Sequence, residues 1–109
     1  MTWIDEYLPE AMDELHRLDK RRRTVVAKAI QRTLRNPLPK CEGGYGNPLG
    51  NKGNCDLTGL LKIKLKKEGL RVVYKLVHQD GKMLVIVVGI RDDEEVYRLA
   101  EKRAKKYGL

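Results

Sequence analysis

Leu60-Leu61-Lys62-Ile63-Lys64-Leu65-Lys66-Lys67-Glu68-Gly69-Leu70-Arg71-Val72-Val73-Tyr74-Lys75-Leu76-Val77-His78 reads as two strands joined by a tight turn at Glu68-Gly69. In the first arm Leu61, Ile63 and Leu65 alternate with Lys62, Lys64 and Lys66, and a period of two sends the lysines to one face of a sheet. The cations then stand about 6 to 7 Å apart along the strand. Any register that pairs an even position of the first arm with an odd one of the second adds Arg71, Val73 and Lys75 to that face. Leu70, Val72, Tyr74 and Leu76 are left for the core. Like charges side by side on a sheet repel, so this density of cations points to an anionic ligand. The competing reading is a solvated lysine face on an edge strand.

The 109 residues suit one domain, residues 1–109, with a modest core. Charged residues make up 35% of the chain and Phe is absent, so the core must come from Leu, Val, Ile, Met, Trp and Tyr. Lys plus Arg number 23 against 15 Asp plus Glu, a net charge of +8. That balance favours a polyanionic partner: nucleic acid first, an anionic membrane or acidic protein second. No apolar run approaches about 18 residues, and the N-terminus has no basic region followed by an apolar segment. The expectation is therefore a cytoplasmic protein with no membrane association. Cys41 and Cys55 lie in one loop without neighbouring histidines, which reads as two free thiols, with a loop-closing disulfide as the alternative.

Outward from the hairpin, Trp3 to Tyr7 suits a first strand and Pro9 the first turn of a helix carrying Leu8, Ala11, Met12, Leu15 and Leu18 at helical spacing. Asp19 is placed to cap a second helix with a stripe of Val26, Ala29, Ile30, Thr33 and Leu34, ended by Asn36-Pro37. Its first turn is Lys20-Arg21-Arg22-Arg23. Cations there oppose the helix dipole, so the run is a candidate for contact with a phosphate backbone, against a merely solvated turn. Residues 36–59 hold six of the ten glycines and three of the four prolines, and read as one long loop. Met83 to Val88 suits a strand buried on both faces, giving an antiparallel meander with the hairpin. Asp92-Asp93-Glu94-Glu95 opens a last helix with capping-box spacing from Asp92 to Glu95, and Val96, Leu99, Ala100, Arg103 and Tyr107 mark its packed side. Tyr97 falls one position off that stripe. The expected fold is α+β, an antiparallel sheet of about four strands in the order β-α-α-β-β-β-α, packed on two N-terminal helices with a C-terminal helix.

Leu49-Gly50, Lys62-Ile63-Lys64-Leu65, Gly69-Leu70-Arg71-Val72-Val73-Tyr74, Val88-Gly89-Ile90-Arg91 and Glu95-Val96-Tyr97, in that order and spacing, resemble the RelE branch of the RelE/ParE toxin superfamily. The likeness runs over essentially the whole chain. It implies a toxin that cleaves mRNA in the ribosomal A site without metal or other cofactor, giving a 2′,3′-cyclic phosphate and a 5′-hydroxyl. It also implies a cognate acidic, RelB-like antitoxin, with operator DNA met only through the antitoxin complex. Carried over by position, it implies a catalytic set of Lys62, Lys64, Arg71, Arg91 and Tyr97. Around these, Lys20, Arg21, Arg22, Arg23, Lys66 and Lys75 are the candidate RNA- and ribosome-binding cations. The chain departs from the pattern at Leu61, where many relatives carry an aromatic, in the glycine-rich 36–59 segment, and in a helix that runs on through Tyr107. Two other readings stay open: a ParE-like toxin that inhibits gyrase, whose relatives lack this catalytic set, and a basic nucleic-acid-binding module.

His16 on the polar side of the first helix and His78 beside a turn read as surface residues. Glu68 is the one carboxylate inside the hairpin, so neither a paired-histidine nor a two-metal nuclease can be assembled. Cleavage by the ribose 2′-hydroxyl needs a base, an acid and fixed positive charge on the phosphate. Repulsion from Lys64 and Arg71 makes Lys62 the favoured base, leaving those two to hold the phosphate and Arg91 to stabilise the transition state. Tyr97 can stack on or hydrogen-bond the nucleotide. Arg91 shares a face with Arg71 if the Asp80-Gly81 connection is a three-residue loop with Gly81 left-handed, or if the strand twists at Gly89; a two-residue loop would separate them.

Overall fold

A computed structural model describes residues 2–52, 55–90 and 92–109. In chain order the elements are β1 (Ile4–Tyr7), α1 (Pro9–Arg17), α2 (Lys20–Thr33), β2 (Asn47–Lys52), β3 (Cys55–Leu65), β4 (Leu70–Val77), β5 (Lys82–Gly89) and α3 (Asp93–Lys106). The strands form one sheet ordered β1-β5-β4-β3-β2. The α+β class, the two N-terminal helices, the meander and the C-terminal helix all match the expectation.

The differences are local. Strand β1 pairs with β5 in parallel, so the sheet is mixed. Two helices and the meander separate the two strands in sequence, and so long a connection leaves a parallel approach to the free edge of β5 open. The 36–59 segment is not a loop: it contains β2 and the first half of β3. Its strands escaped the periodicity because only Leu49 and Leu57 turn inward, while Pro48 and a left-handed Gly50 sit where the β2 ladder slips. Proline and glycine are tolerated there because β2 is an edge strand.

The glycines of this segment serve the meander. Tyr74, fully buried in β4, donates from its hydroxyl to the Pro37 carbonyl at 2.8 Å, tying the chain leaving α2 to the sheet. Gly46 passes directly over that contact: a Cβ there would stand 2.5 Å from Leu61 Cδ2 and closer still to the Tyr74 hydroxyl. Only a residue without a side chain lets the segment close.

Helix α1 begins with Pro at its first turn, as expected. Asp19 occupies the N-cap position of α2 but its side chain makes no capping hydrogen bond, lying instead 3.6 Å from Arg22. Arg23 donates to the His16 and Leu18 carbonyls at 3.1 and 2.9 Å, so part of the basic run closes the C-terminal end of α1, where positive charge suits the dipole. Val26, Ala29, Ile30 and Thr33 are buried, as the stripe required. At α3 the Asp92 carboxylate accepts from the Glu95 amide at 2.9 Å. Val96, Tyr97 and Ala100 are its buried residues; Tyr107 is exposed and reaches Glu10 instead. The expected stripe holds at Val96 and Ala100, with Leu99 packed against the core and the Arg103 side chain largely buried; it is widened by Tyr97 and loses Tyr107.

Gly46→Ala should cost about 1–3 kcal/mol by overpacking, and Tyr74→Phe about 1–2 kcal/mol by stranding the Pro37 carbonyl. Urea unfolding of the two variants measures both.

Candidate active site

The hairpin register has the predicted parity. Lys64 pairs with Arg71, Lys62 with Val73 and Leu60 with Lys75, so Lys62, Lys64, Arg71 and Lys75 share one face. Between Leu65 and Leu70 the chain turns through a short 3₁₀ segment, Lys66–Glu68, closed by a left-handed Gly69. This turn is larger than one at Glu68-Gly69 alone. Lys66 is therefore an exposed turn residue, not a fourth cation on the sheet face. Lys75 keeps the face but lies further along it, half-buried.

The face is not an open row of cations. Helix α3 packs over it, so that Val73 and Val87 between the cations are fully buried. Each of its first turns delivers one partner. Tyr97 accepts a hydrogen bond from Lys62 Nζ at 3.0 Å, and that ammonium lies 5.7 Å from the centre of the Tyr97 ring. Asp93 forms an ion pair with Arg71 through Nε, with Arg71 17% exposed and Asp93 41% exposed. Burial pushes the Asp93 carboxyl up, but the hydrogen bond and charge of Arg71, with the fields of Lys64 and Lys62, outweigh it and hold the carboxyl below its ordinary range. Lys64 stays exposed beside this pair. Tyr97 is thus both a core residue and a partner of Lys62.

Asp93 was missed by the sequence reading. It sits in a run of four acids whose helix-capping role accounts for it fully on local grounds, and only the packing of α3 across the sheet shows that it faces Arg71. Arg91, the remaining member of the expected set, lies outside the described residues. The strand leading to it is described. Val77 pairs with Lys82, so the connection is residues 78–81, longer than the three-residue loop expected, though Gly81 is left-handed at φ 64°. A one-residue shift then occurs between Val73 and Tyr74, where Ile86 is the extra residue of β5. Beyond that bulge Arg71 pairs with Gly89, the same pairing a three-residue loop would have produced.

The remaining candidates do not join this cluster. Lys20, Arg21, Arg22 and Arg23 are exposed on α2, and among the described residues no hydrogen bond or ion pair links them to it. His16 is exposed, and exposed His78 meets Trp3 edge to face at 5.6 Å. Cys41 is a free, exposed thiol. Among the described residues no group of three His, Cys, Asp or Glu side chains is placed to hold a metal ion, and no helix is long and apolar enough to cross a membrane.

Fold and site together define a small basic α+β domain with a cluster of cationic side chains on one sheet face, beneath the C-terminal helix. No family model matches the chain. It is 31% identical over 108 residues to an Escherichia coli protein named as a RelE-like toxin, covering 96% of this chain and 100% of the relative. It is 29% identical over 103 residues to the mRNA interferase toxin RelE of Escherichia coli strain K12, covering 94% and 98%. Among solved structures, a mutant of E. coli toxin RelE in the free state superposes with a TM-score of 0.75 at 27% identity, over 94% of this chain and 98% of that one. The same mutant in complex with a peptide of the antitoxin RelB gives 0.69 at 26% identity, over 92% and 95%. The chain belongs to the RelE-like toxin family.

Asp93→Asn should strengthen binding of a short single-stranded RNA, because the carboxylate competes with phosphate for Arg71. Fluorescence anisotropy at several salt concentrations reads this, and equal or weaker binding by the variant contradicts it. The ion pair also has a pH signature. Because the folded carboxyl is depressed, its stabilisation is complete above the unfolded value of 3.8 and is lost as pH falls through the lower folded value. The gap in melting temperature between the native protein and Asp93→Asn should therefore be present at neutral pH and vanish in acid.

Proposed function

We propose that this chain is the toxin of a type II toxin-antitoxin pair, a ribosome-dependent endoribonuclease that cleaves mRNA in the ribosomal A site. The observation that carries the reading is the convergence of Lys62, Lys64 and Arg71 on one sheet face, with Tyr97 bonded to the Lys62 amine. The family's named mRNA interferase supports the reaction class.

In the proposed reaction the 2′-oxygen forms a bond to the adjacent phosphorus and its proton passes to the amine of Lys62. The bond from phosphorus to the 5′-oxygen breaks and that oxygen takes up a proton from water, leaving a 2′,3′-cyclic phosphate and a 5′-hydroxyl. Tyr97 orients the Lys62 amine through its hydroxyl. Lys64 and Arg71 grip the phosphate once Asp93 has yielded, and fixed charge held in a partly dry site stabilises the growing negative charge more than water can. Arg91 is assigned the remaining charge on the pentavalent transition state, on the strength of the resemblance. Lys20, Arg21 and Arg22, exposed on α2, would meet ribosomal RNA phosphates and make binding strongly salt-dependent. Lys66 and Lys75 add to that field. The reaction takes place in the cytoplasm, where the substrate is translated.

The solved complex of a RelE mutant with a RelB peptide supports a cognate antitoxin here as well. With a toxin charge of +8, the expected partner is an acidic chain that folds on binding.

Lys62→Arg keeps the charge and removes the titratable amine. In single-turnover cleavage on mRNA-programmed ribosomes from about pH 6 to about pH 10, it should slow the reaction by about 10²-fold or more and flatten its pH dependence. Arg91→Lys should slow it comparably without flattening the profile. A Lys62→Arg protein that cleaves at the native rate with the native profile would overturn the assignment of the base.

A further inference from the structure

The bulge in β5 is held by two side chains far from one another in sequence. The Arg103 guanidinium of α3 makes a two-point ion pair with the Glu14 carboxylate of α1, Nη1 to Oε1 at 2.7 Å and Nη2 to Oε2 at 3.1 Å. Both are largely buried, 11% and 19% exposed. Each also holds the β5 backbone: Arg103 Nη1 donates to the Ile86 carbonyl at 2.9 Å, and Glu14 Oε1 accepts from the Val88 amide at 3.1 Å. Ile86 is the extra residue, and Val88 the first outward amide beyond it.

Their position follows from the topology. Strand β1 covers the outer edge of β5 only as far as Val85, whose carbonyl takes the Leu8 amide at 3.0 Å. Beyond that point β5 would present bare backbone groups, which buried polar groups do not tolerate. Glu14 and Arg103 supply the missing partners, and they fit a strand carrying one extra residue. A regular ladder continued from the Tyr74–Val85 pair would set Val88, not Gly89, opposite Arg71, and would send every later residue to the other face. Gly89 leaves the space above Arg71 without a side chain, and Arg91 follows it by two positions in sequence.

We infer that Glu14 and Arg103 are positioning residues for the active site: they lock the register of β5 after Ile86 and so decide what stands beside Arg71. The inference rests on the nuclease reading for its consequence and on the backbone hydrogen bonds for its substance. It differs from a merely stabilising ion pair in one respect. Exchanging the charges, Glu14→Arg with Arg103→Glu, restores an ion pair, but a carboxylate at 103 cannot donate to Ile86 and a guanidinium at 14 cannot accept from Val88.

The test uses the full chain. In the native protein the Val88 amide should be protected from hydrogen exchange as well as ladder amides, and cross-strand proton contacts should join Arg71 to Gly89. In the exchanged double variant and in the uncharged, apolar Glu14→Leu with Arg103→Leu, which can neither accept from Val88 nor donate to Ile86, Val88 protection should fall at least about tenfold and the Arg71–Gly89 contacts should weaken. The maximal single-turnover rate on ribosomes should drop at least about tenfold with ribosome affinity unchanged. Val88 exchanging freely in the native protein overturns the clamp. So does an exchanged variant that regains the native rate and the native Arg71–Gly89 contacts, since a simple ion pair would then suffice. Should the native protein cleave no mRNA at all, the nuclease reading falls, and the exchange and proton-contact data still judge the clamp.

Discussion

Three cations on neighbouring positions of one sheet face repel, and the structure around them answers that repulsion. Lys62, Lys64 and Arg71 are fixed beside each other by the hairpin register. At about 7 Å and an effective dielectric of 20, each pair costs roughly 2 kcal/mol. Helix α3 offsets part of this with the Asp93 carboxylate and the π-face and hydroxyl of Tyr97. It also covers the apolar ground between the cations, Val73 and Val87, which no solvated face could leave exposed at no cost. The C-terminal helix is thus a core element and the neutralising partner of the site at once. Under the proposed function, an anion displacing Asp93 would take over one of these functions while Tyr97, Val96 and Ala100, buried on α3, keep the helix seated.

That arrangement explains why the site lies on a sheet and not in a loop. Strands hold their side chains at fixed spacing, and a phosphodiester needs charge at fixed points more than it needs an adaptable pocket. The requirement then falls on register. Two turns with left-handed glycines, Gly69 and Gly81, and one bulge at Ile86 set which residues of β3, β4 and β5 stand together. The Glu14–Arg103 pair joins α1, α3 and β5 at that bulge, so the helices on the sheet take part in setting the strand's phase.

The hairpin was readable from its sequence because alternation of Leu or Ile with Lys over six residues admits only one pair of faces, and the parity argument survives any even-sized turn. Lys66 misled because alternation continues into the turn by chance of composition. The β2 strand was invisible for the opposite reason: with Pro48 and Gly50 inside it and only Leu49 facing inward, an edge strand carries almost no periodic signal. Asp93 was hidden because an acid at a helix start already had a sufficient local explanation; the clamp was hidden because Arg103 was placed only on the packed side of its helix and Glu14 belongs to no apolar stripe. Contacts spanning 22 and 89 residues leave no trace in any window of sequence. The bulge at Ile86 lies within an unbroken apolar run, where one extra buried residue looks like any other.

The account stands on the cationic cluster being a ribonuclease site that works on translated mRNA. Its most direct test is end mapping of a defined mRNA after incubation with the purified protein, in parallel with and without ribosomes translating it. The account predicts cuts confined to the codon in the A site, new 5′ ends bearing hydroxyls, upstream fragments ending in 2′,3′-cyclic phosphate, and no cleavage of the same mRNA without ribosomes. Arrested growth on expression with intact mRNA, or cuts with 5′-phosphate ends, would contradict it.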